Sequence, residues 1–219
     1  MTEHHLQVTR QARYYQLGDL TAQTRRIWFV VHGYGQLATY FLRHFAALAE
    51  ADPTLVIIAP EGLSRFYLSG NGGRVGASWM TREDRLSEIE DYTAYLNQLA
   101  APALAAAPAA QLTVLGFSQG AATVSRWLSR ARFRPAHLVL WAGAFPEDMD
   151  FNVATRLLQQ LPVTLVIGDQ DEYITANDIQ KQQAFLRTLG VEPALIQFSG
   201  RHTLDAATLR QLAAESLTA

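Results

Sequence analysis

Residues 112–123 read Leu-Thr-Val-Leu-Gly-Phe-Ser-Gln-Gly-Ala-Ala-Thr. An apolar run leads into Gly116-Phe117-Ser118-Gln119-Gly120, a G-x-S-x-G pentapeptide, and small residues with helical patterning follow. This predicts a buried strand, a sharp turn and a helix, with Ser118 at the apex. The glycines are needed because the serine backbone is strained and its neighbours must pack closely. The helix then aims its first amides at any charge developing beside the serine. The bland alternative for the same residues is an ordinary tight turn between a strand and a helix.

Working outward, short β-rich runs alternate with stretches of helical period. Strands are expected at 27–31, 55–59, 112–116, 137–141, 163–168 and 193–198. Helices are expected at 41–49, 85–104, 119–131, 151–161, 175–189 (stopped by Gly190) and 203–217. Residues 13–17 read as an antiparallel edge strand. Strands apolar on both faces, alternating with helices, indicate a mainly parallel sheet with helices on both sides. No linker or repeat divides residues 1–219, so a single α/β domain is expected. The connection from Trp141 to Val163 is too short for a separate lid domain, which predicts an open site suited to small or water-soluble acyl esters.

A serine hydroxyl needs a base, and the base needs an orienting acid. In an open parallel sheet both belong in loops at the carboxyl ends of strands. Of six histidines, His4 and His5 lie near the N-terminus, His44 inside a helix, and His137 at the start of a strand. His32 and His202 each follow a strand. His202, with Ser118 and an intervening acid, gives the chain order of α/β-hydrolases and is assigned as base. Gly168-Asp169-Gln170-Asp171-Glu172 follows the strand at 163–168. Three acids crowd this loop, so residue type alone does not choose. Asp171 is assigned, with Asp169 bracing the turn and Glu172 facing solvent or an arginine. An oxyanion needs two backbone donors. One is expected from Gln119, the other from Tyr34 in His32-Gly33-Tyr34-Gly35.

The long connection over 60–85 is read as a functional loop. Phe66, Tyr67, Trp79 and Met80 in it are candidates to line a substrate pocket, the alternative being that they cover the edge of the core. Gly70–Gly73 lacks the lysine of a phosphate loop. Arg82, Asp84 and Arg85 read as a solvated helix start. Leu86, Ile89 and Leu96 read as core, and Trp127 and Trp141 as packing.

Composition excludes several classes. The 219 residues are 49% hydrophobic and 17% charged, with a formal net charge of −2 and a pI near 6.3. No basic run suggests nucleic acid or an acidic membrane as partner. No apolar run approaches the length needed to span a bilayer, and no signal pattern opens the chain, so a cytoplasmic location is expected. With no cysteine there is no disulfide, thiolate metal site or cysteine nucleophile. No metal or organic cofactor is implied. An exposed edge strand or the 60–85 connection could support a homodimer.

His32-Gly33-Tyr34-Gly35, Gly116-Phe117-Ser118-Gln119-Gly120, Gly168-Asp169-Gln170-Asp171 and Gly200-Arg201-His202 resemble the carboxylesterase/phospholipase group of α/β-hydrolases, which includes acyl-protein thioesterases. The resemblance spans roughly residues 25–215. It implies hydrolysis of a small-molecule ester or thioester, and its G-x-x-D element supports Asp171 over Asp169. Two segments depart from the family pattern: Tyr34-Gly35-Gln36 in the oxyanion loop, and Ser78-Trp79-Met80-Thr81 where the family often has Trp-Phe-Asp. Thioesterase, lysophospholipase, perhydrolase or peptidase activity on the same triad are alternatives. From another class, so is a small-ligand-binding protein on this fold.

Overall fold

A computed structural model describes residues 1–215; the helix end expected at residue 217 lies outside them. Seven strands form one sheet: β1 (Tyr14–Leu17), β2 (Arg26–Val31), β3 (Leu55–Pro60), β6 (Gln111–Phe117), β7 (His137–Trp141), β8 (Val163–Gly168) and β9 (Ala194–Phe198). Their spatial order is β1-β3-β2-β6-β7-β8-β9. All neighbours are parallel except β1, which pairs antiparallel with β3 at the edge.

The strands read as continuous apolar runs because both faces are covered. Along β2, Ile27, Phe29 and Val31 enter one core cluster, while Trp28 and Val30 enter the other. On the first face lie α3 (Arg85–Ala106), α4 (Gln119–Leu128), α5 (Phe151–Leu158) and Leu186 of α6 (Ala176–Thr188). On the second lie α1 (Ala38–Leu42), α2 (Ala46–Ala51) and α7 (Ala206–Glu215).

Local chemistry sets several boundaries. Thr175 and Asp178 form a reciprocal capping box that starts α6, and Gly190, at φ 80°, follows its end. The single helix expected over 41–49 is broken by a 3₁₀ turn at Arg43–Phe45, across which Phe41 and Phe45 meet edge to face at 5.5 Å. Leu86 is 67% exposed rather than core; the buried stripe of α3 begins only at Ile89. The connection from β7 to β8 carries only the short α5.

The largest departure from expectation is at 60–85. Instead of a loop, the chain forms a hairpin of β4 (Ser64–Ser69) and β5 (Gly72–Ser78). Its base is buried and its tip exposed. Backbone bonds from Gly35 N–H to Ala77 O (2.9 Å) and from Ala77 N–H to Gln36 O (3.0 Å) lay it against the loop after β2. Gly76 permits this approach, since a Cβ there would collide with the carbonyl oxygen of Gly35.

Leu96 is completely buried in the α3 face of the core. Leu96→Ala is expected to destabilise the protein by about 3 kcal/mol through lost burial and a residual cavity. Urea unfolding should show this as a lower midpoint at an unchanged m-value.

Candidate active site

The chain reverses its winding between β2 and β6, and the loops that follow these two neighbouring strands face each other across the crevice where α/β sheets bind ligands. Ser118 follows β6 at φ 53° and ψ −119°, a conformation that costs a non-glycine residue roughly 1–3 kcal/mol. Its surroundings hold it there. Its N–H donates to Trp141 O at the end of β7 (2.8 Å), and its carbonyl accepts from Ala121 N–H (2.9 Å). A Cβ at Gly116 would strike Gly120 O, and one at Gly120 would strike Val31 O, so only glycines let the turn fold flat on β2.

His202 lies in the loop after β9. Its ring packs against Phe117 (5.0 Å) and edge-on against Tyr173 (4.8 Å). Nδ1 is 2.8 Å from Asp171 Oδ2, and the Asp171 side chain has no exposed surface. Asp171 Oδ1 accepts the N–H groups of Tyr173 (2.9 Å) and Ile174 (3.1 Å). An ionised carboxylate is acceptor-only, so this arrangement puts the Nδ1 hydrogen toward Asp171 and leaves Nε2 as the basic nitrogen.

The neighbouring acids are placed differently. Asp169 Oδ1 accepts Gly200 N–H (3.0 Å) and its own N–H donates to Phe198 O (2.9 Å), bracing the turn. Glu172 Oε2 faces the backbone N–H of His202 at 3.4 Å rather than an arginine.

Of the expected oxyanion donors, Gln119 opens α4 and Tyr34 sits in the loop after β2. In that loop Gly33 N–H donates to Gln36 Oε1, Gly35 N–H to Ala77 O and Gln36 N–H to Gly33 O. The N–H groups of Tyr34 and Gln119 have no acceptor among the described residues. A Cβ at Gly33 would come within 3.0 Å of Ser118 Cβ, which sets how closely the two loops approach.

The four expected pocket residues do not act together. Phe66 stacks on the exposed ring of Tyr34 (5.1 Å), and Tyr67 is exposed on the hairpin. Met80 is half-buried, and its carbonyl accepts Gln119 Nε2 (2.7 Å). Trp79 is core instead of pocket wall: it is 2% exposed and packs on His32 and Tyr92. A cavity of about 300 Å³ instead lies on the other side of the site, lined by Leu140, Gly143, Leu165, Ile167, Tyr173 and Ile174 among others. It adjoins the site at two residues. A Cβ at Gly143 would strike Ser118 O, and Tyr173 packs on His202. The position of 143–144 and 173–174 in the loops that follow β7 and β8 was the signal that could have pointed to them.

His32, the other histidine after a strand, is fully buried. Its Nε2 accepts Gly62 N–H (3.0 Å), so Nδ1 carries the hydrogen and donates to Gly33 O (2.7 Å). Burial lowers its pKa to about 4. The folded value lies below the ordinary 6.5, so protonation favours the unfolded chain. The neutral ring's contribution is complete above pH 6.5 and is lost as pH falls toward 4, by about 3 kcal/mol. Urea unfolding at pH 7 and pH 4.5 should show this loss, and His32→Gln should reduce it.

Comparison with known proteins bears on the fold and the family. The model of the Phospholipase/Carboxylesterase family matches residues 21–217. A search of curated proteins returned no match. Among solved structures, acyl-protein thioesterase 2 of Zea mays superimposes with a TM-score of 0.71 at 18% identity, covering 95% of this chain and 99% of its own. A carboxylesterase from Mesorhizobium loti gives 0.66 at 21% identity, covering 93% and 94%. A phospholipase/carboxylesterase from Dyadobacter fermentans gives 0.64 at 17% identity, covering 94% and 96%. At these identities the structural likeness speaks to the α/β-hydrolase fold. The family match, which takes in every strand of the sheet but β1, places this chain in the phospholipase/carboxylesterase family of α/β-hydrolases.

Proposed function

We propose that this chain, as one hydrolase domain, cleaves carboxylic esters of small or soluble acyl groups through a serine-bound acyl intermediate. The observation that carries the reading is the bond from His202 Nδ1 to the buried Asp171, with the His202 ring packed on Phe117, the residue before a serine held in a strained turn at a helix N-terminus. Asp171, oriented by two backbone N–H groups, keeps the imidazole in the tautomer whose Nε2 can accept a proton. His202 takes the Ser118 proton as Oγ attacks the acyl carbon. The tetrahedral oxyanion forms beside the uncommitted N–H groups of Tyr34 and Gln119; each such donor contributes about 3 kcal/mol to transition-state stabilisation. His202 then protonates the leaving alcohol. Water repeats the sequence on the acyl-enzyme and restores Ser118.

The cavity beside Gly143 and Tyr173 is the proposed seat of the acyl group. At about 300 Å³ it sits at the low end of ligand pockets, which run roughly 300–1,000 Å³, and this favours small acyl groups. A thioester reading uses the same residues and is favoured by the likeness to the plant acyl-protein thioesterase. Rates on matched p-nitrophenyl esters and thioesters of the same acyl chain separate the two.

A fluorophosphonate probe should label Ser118 at neutral pH, and Ser118→Ala should lose turnover and labelling with unchanged circular dichroism. No labelling of the folded wild type would instead favour a ligand-binding protein on this fold. Asp171→Asn should lower kcat/KM by roughly 10³- to 10⁴-fold through the wrong histidine tautomer. Asp169→Asn should retain most activity, because its carboxylate bonds to the Gly200 backbone and not to His202. The reverse order of the two acids in a steady-state assay would reassign the acid.

A further inference from the structure

Four tryptophans are buried in the core, and their indole N–H groups divide them. The indole N–H of Trp28 has no hydrogen-bond partner among the described residues. Trp127 donates to Asn97 Oδ1 (3.0 Å), linking α4 to α3. Trp141 and Trp79 each use a main-chain group and the indole to bond to two different loops, and each such pair of bonds spans the site.

Trp141 ends β7. Its carbonyl accepts the N–H of Ser118 (2.8 Å), and its Nε1 donates to the carbonyl of Thr203 (2.9 Å), the residue after His202. Its ring is completely buried and packs on Phe198 at the end of β9. Trp79 follows the hairpin. Its N–H donates to Gln119 Oε1 (3.1 Å), and its Nε1 donates to the carbonyl of His32 (2.9 Å) at the start of the loop bearing Tyr34. Gln119 completes the clamp through Nε2 to Met80 O (2.7 Å).

An indole is rigid beyond two torsions, and packing fixes both in a buried ring. Each tryptophan is therefore a strut of set length between two loops far apart in sequence. Reacting groups carried on separate loops need such support, because a misplacement of about 1 Å can cost roughly a hundredfold in rate.

We propose that Trp141 and Trp79 are positioning residues. Trp141 sets the spacing of Ser118 and His202, and Trp79 sets the gap between the Tyr34 and Gln119 amides. This rests on the reading of Ser118 and His202 as nucleophile and base. Neither tryptophan touches the substrate; both act through the loops they tie.

The test is a set of three tryptophan-to-phenylalanine variants assayed on a p-nitrophenyl ester, with urea melts on each. Trp141→Phe and Trp79→Phe should lower kcat by roughly 10- to 100-fold, with KM little changed, since they disturb transition-state geometry rather than binding. Trp127→Phe removes an equally buried indole N–H and should destabilise the protein comparably while retaining wild-type kcat. If either strut variant unfolds, β-(3-benzothienyl)alanine incorporated at that position keeps the ring shape without the N–H and should show the same kcat loss. Wild-type kcat in both strut variants, or an equal kcat loss in Trp127→Phe, overturns the proposal. Fluorophosphonate labelling of the wild type is read first: without it the hydrolase reading itself fails, and the proposal with it.

Discussion

The site depends on the bond between Ser118 N–H and Trp141 O. It extends the pairing of two central parallel strands by one residue past Phe117, and so carries regular sheet geometry into the strained turn. A serine at φ 53° persists only where its surroundings over-determine it. Here the sheet supplies that constraint from one side and α4 from the other. Glycines at 33, 116, 120 and 143 allow three neighbouring segments to close on the same point. The strain is local, and the two-faced core beneath it is what holds it in place.

Charge is handled by separating residues of the same type into different environments. His32 and His202 both follow strands of the sheet. Burial keeps His32 neutral, and its two backbone bonds make it a brace between the loop after β2 and Gly62. His202 instead meets a buried carboxylate on one nitrogen. Asp169 and Asp171 are divided in the same way: one bonds to a backbone amide across the turn, the other to the imidazole. Side chains of the same type are thus given different partners by the loops that carry them.

Much of this was legible from residue order. G-x-S-x-G behind an apolar run located the turn, and apolar runs with helical spacers located the parallel sheet. The rule that loops after strands carry the chemistry selected Ser118, Asp171 and His202 as the residues to compare. The 60–85 connection was not legible as a hairpin. Its second strand, Gly72 to Ser78, holds three glycines and so lacks the apolar signal of the central strands, and the pairing is stabilised by contact with the loop after β2. For Trp79 the choice between pocket wall and core cover was left open by the sequence for a related reason. Its surroundings are His32 and Tyr92, which no local pattern connects to it. Tyr173, two residues past Asp171, was overlooked because its importance lies in packing on His202, which is carried by the loop after the neighbouring strand.

By itself the sequence determined the alternation of strands and helices, the glycine-bounded turn at Ser118 and the chain order of the candidate residues. These follow from short-range periodicity and from backbone conformations that few residues can adopt. Only the tertiary structure decided which acid meets His202, that His32 is a buried neutral brace, and that Trp79 and Trp141 tie separate loops together. Those outcomes depend on contacts between segments 30 to 62 residues apart, from His32 and Gly62 to Trp141 and Thr203. Burial and hydrogen bonding across such gaps are set by how strands are ordered in space, a property no window of the chain contains.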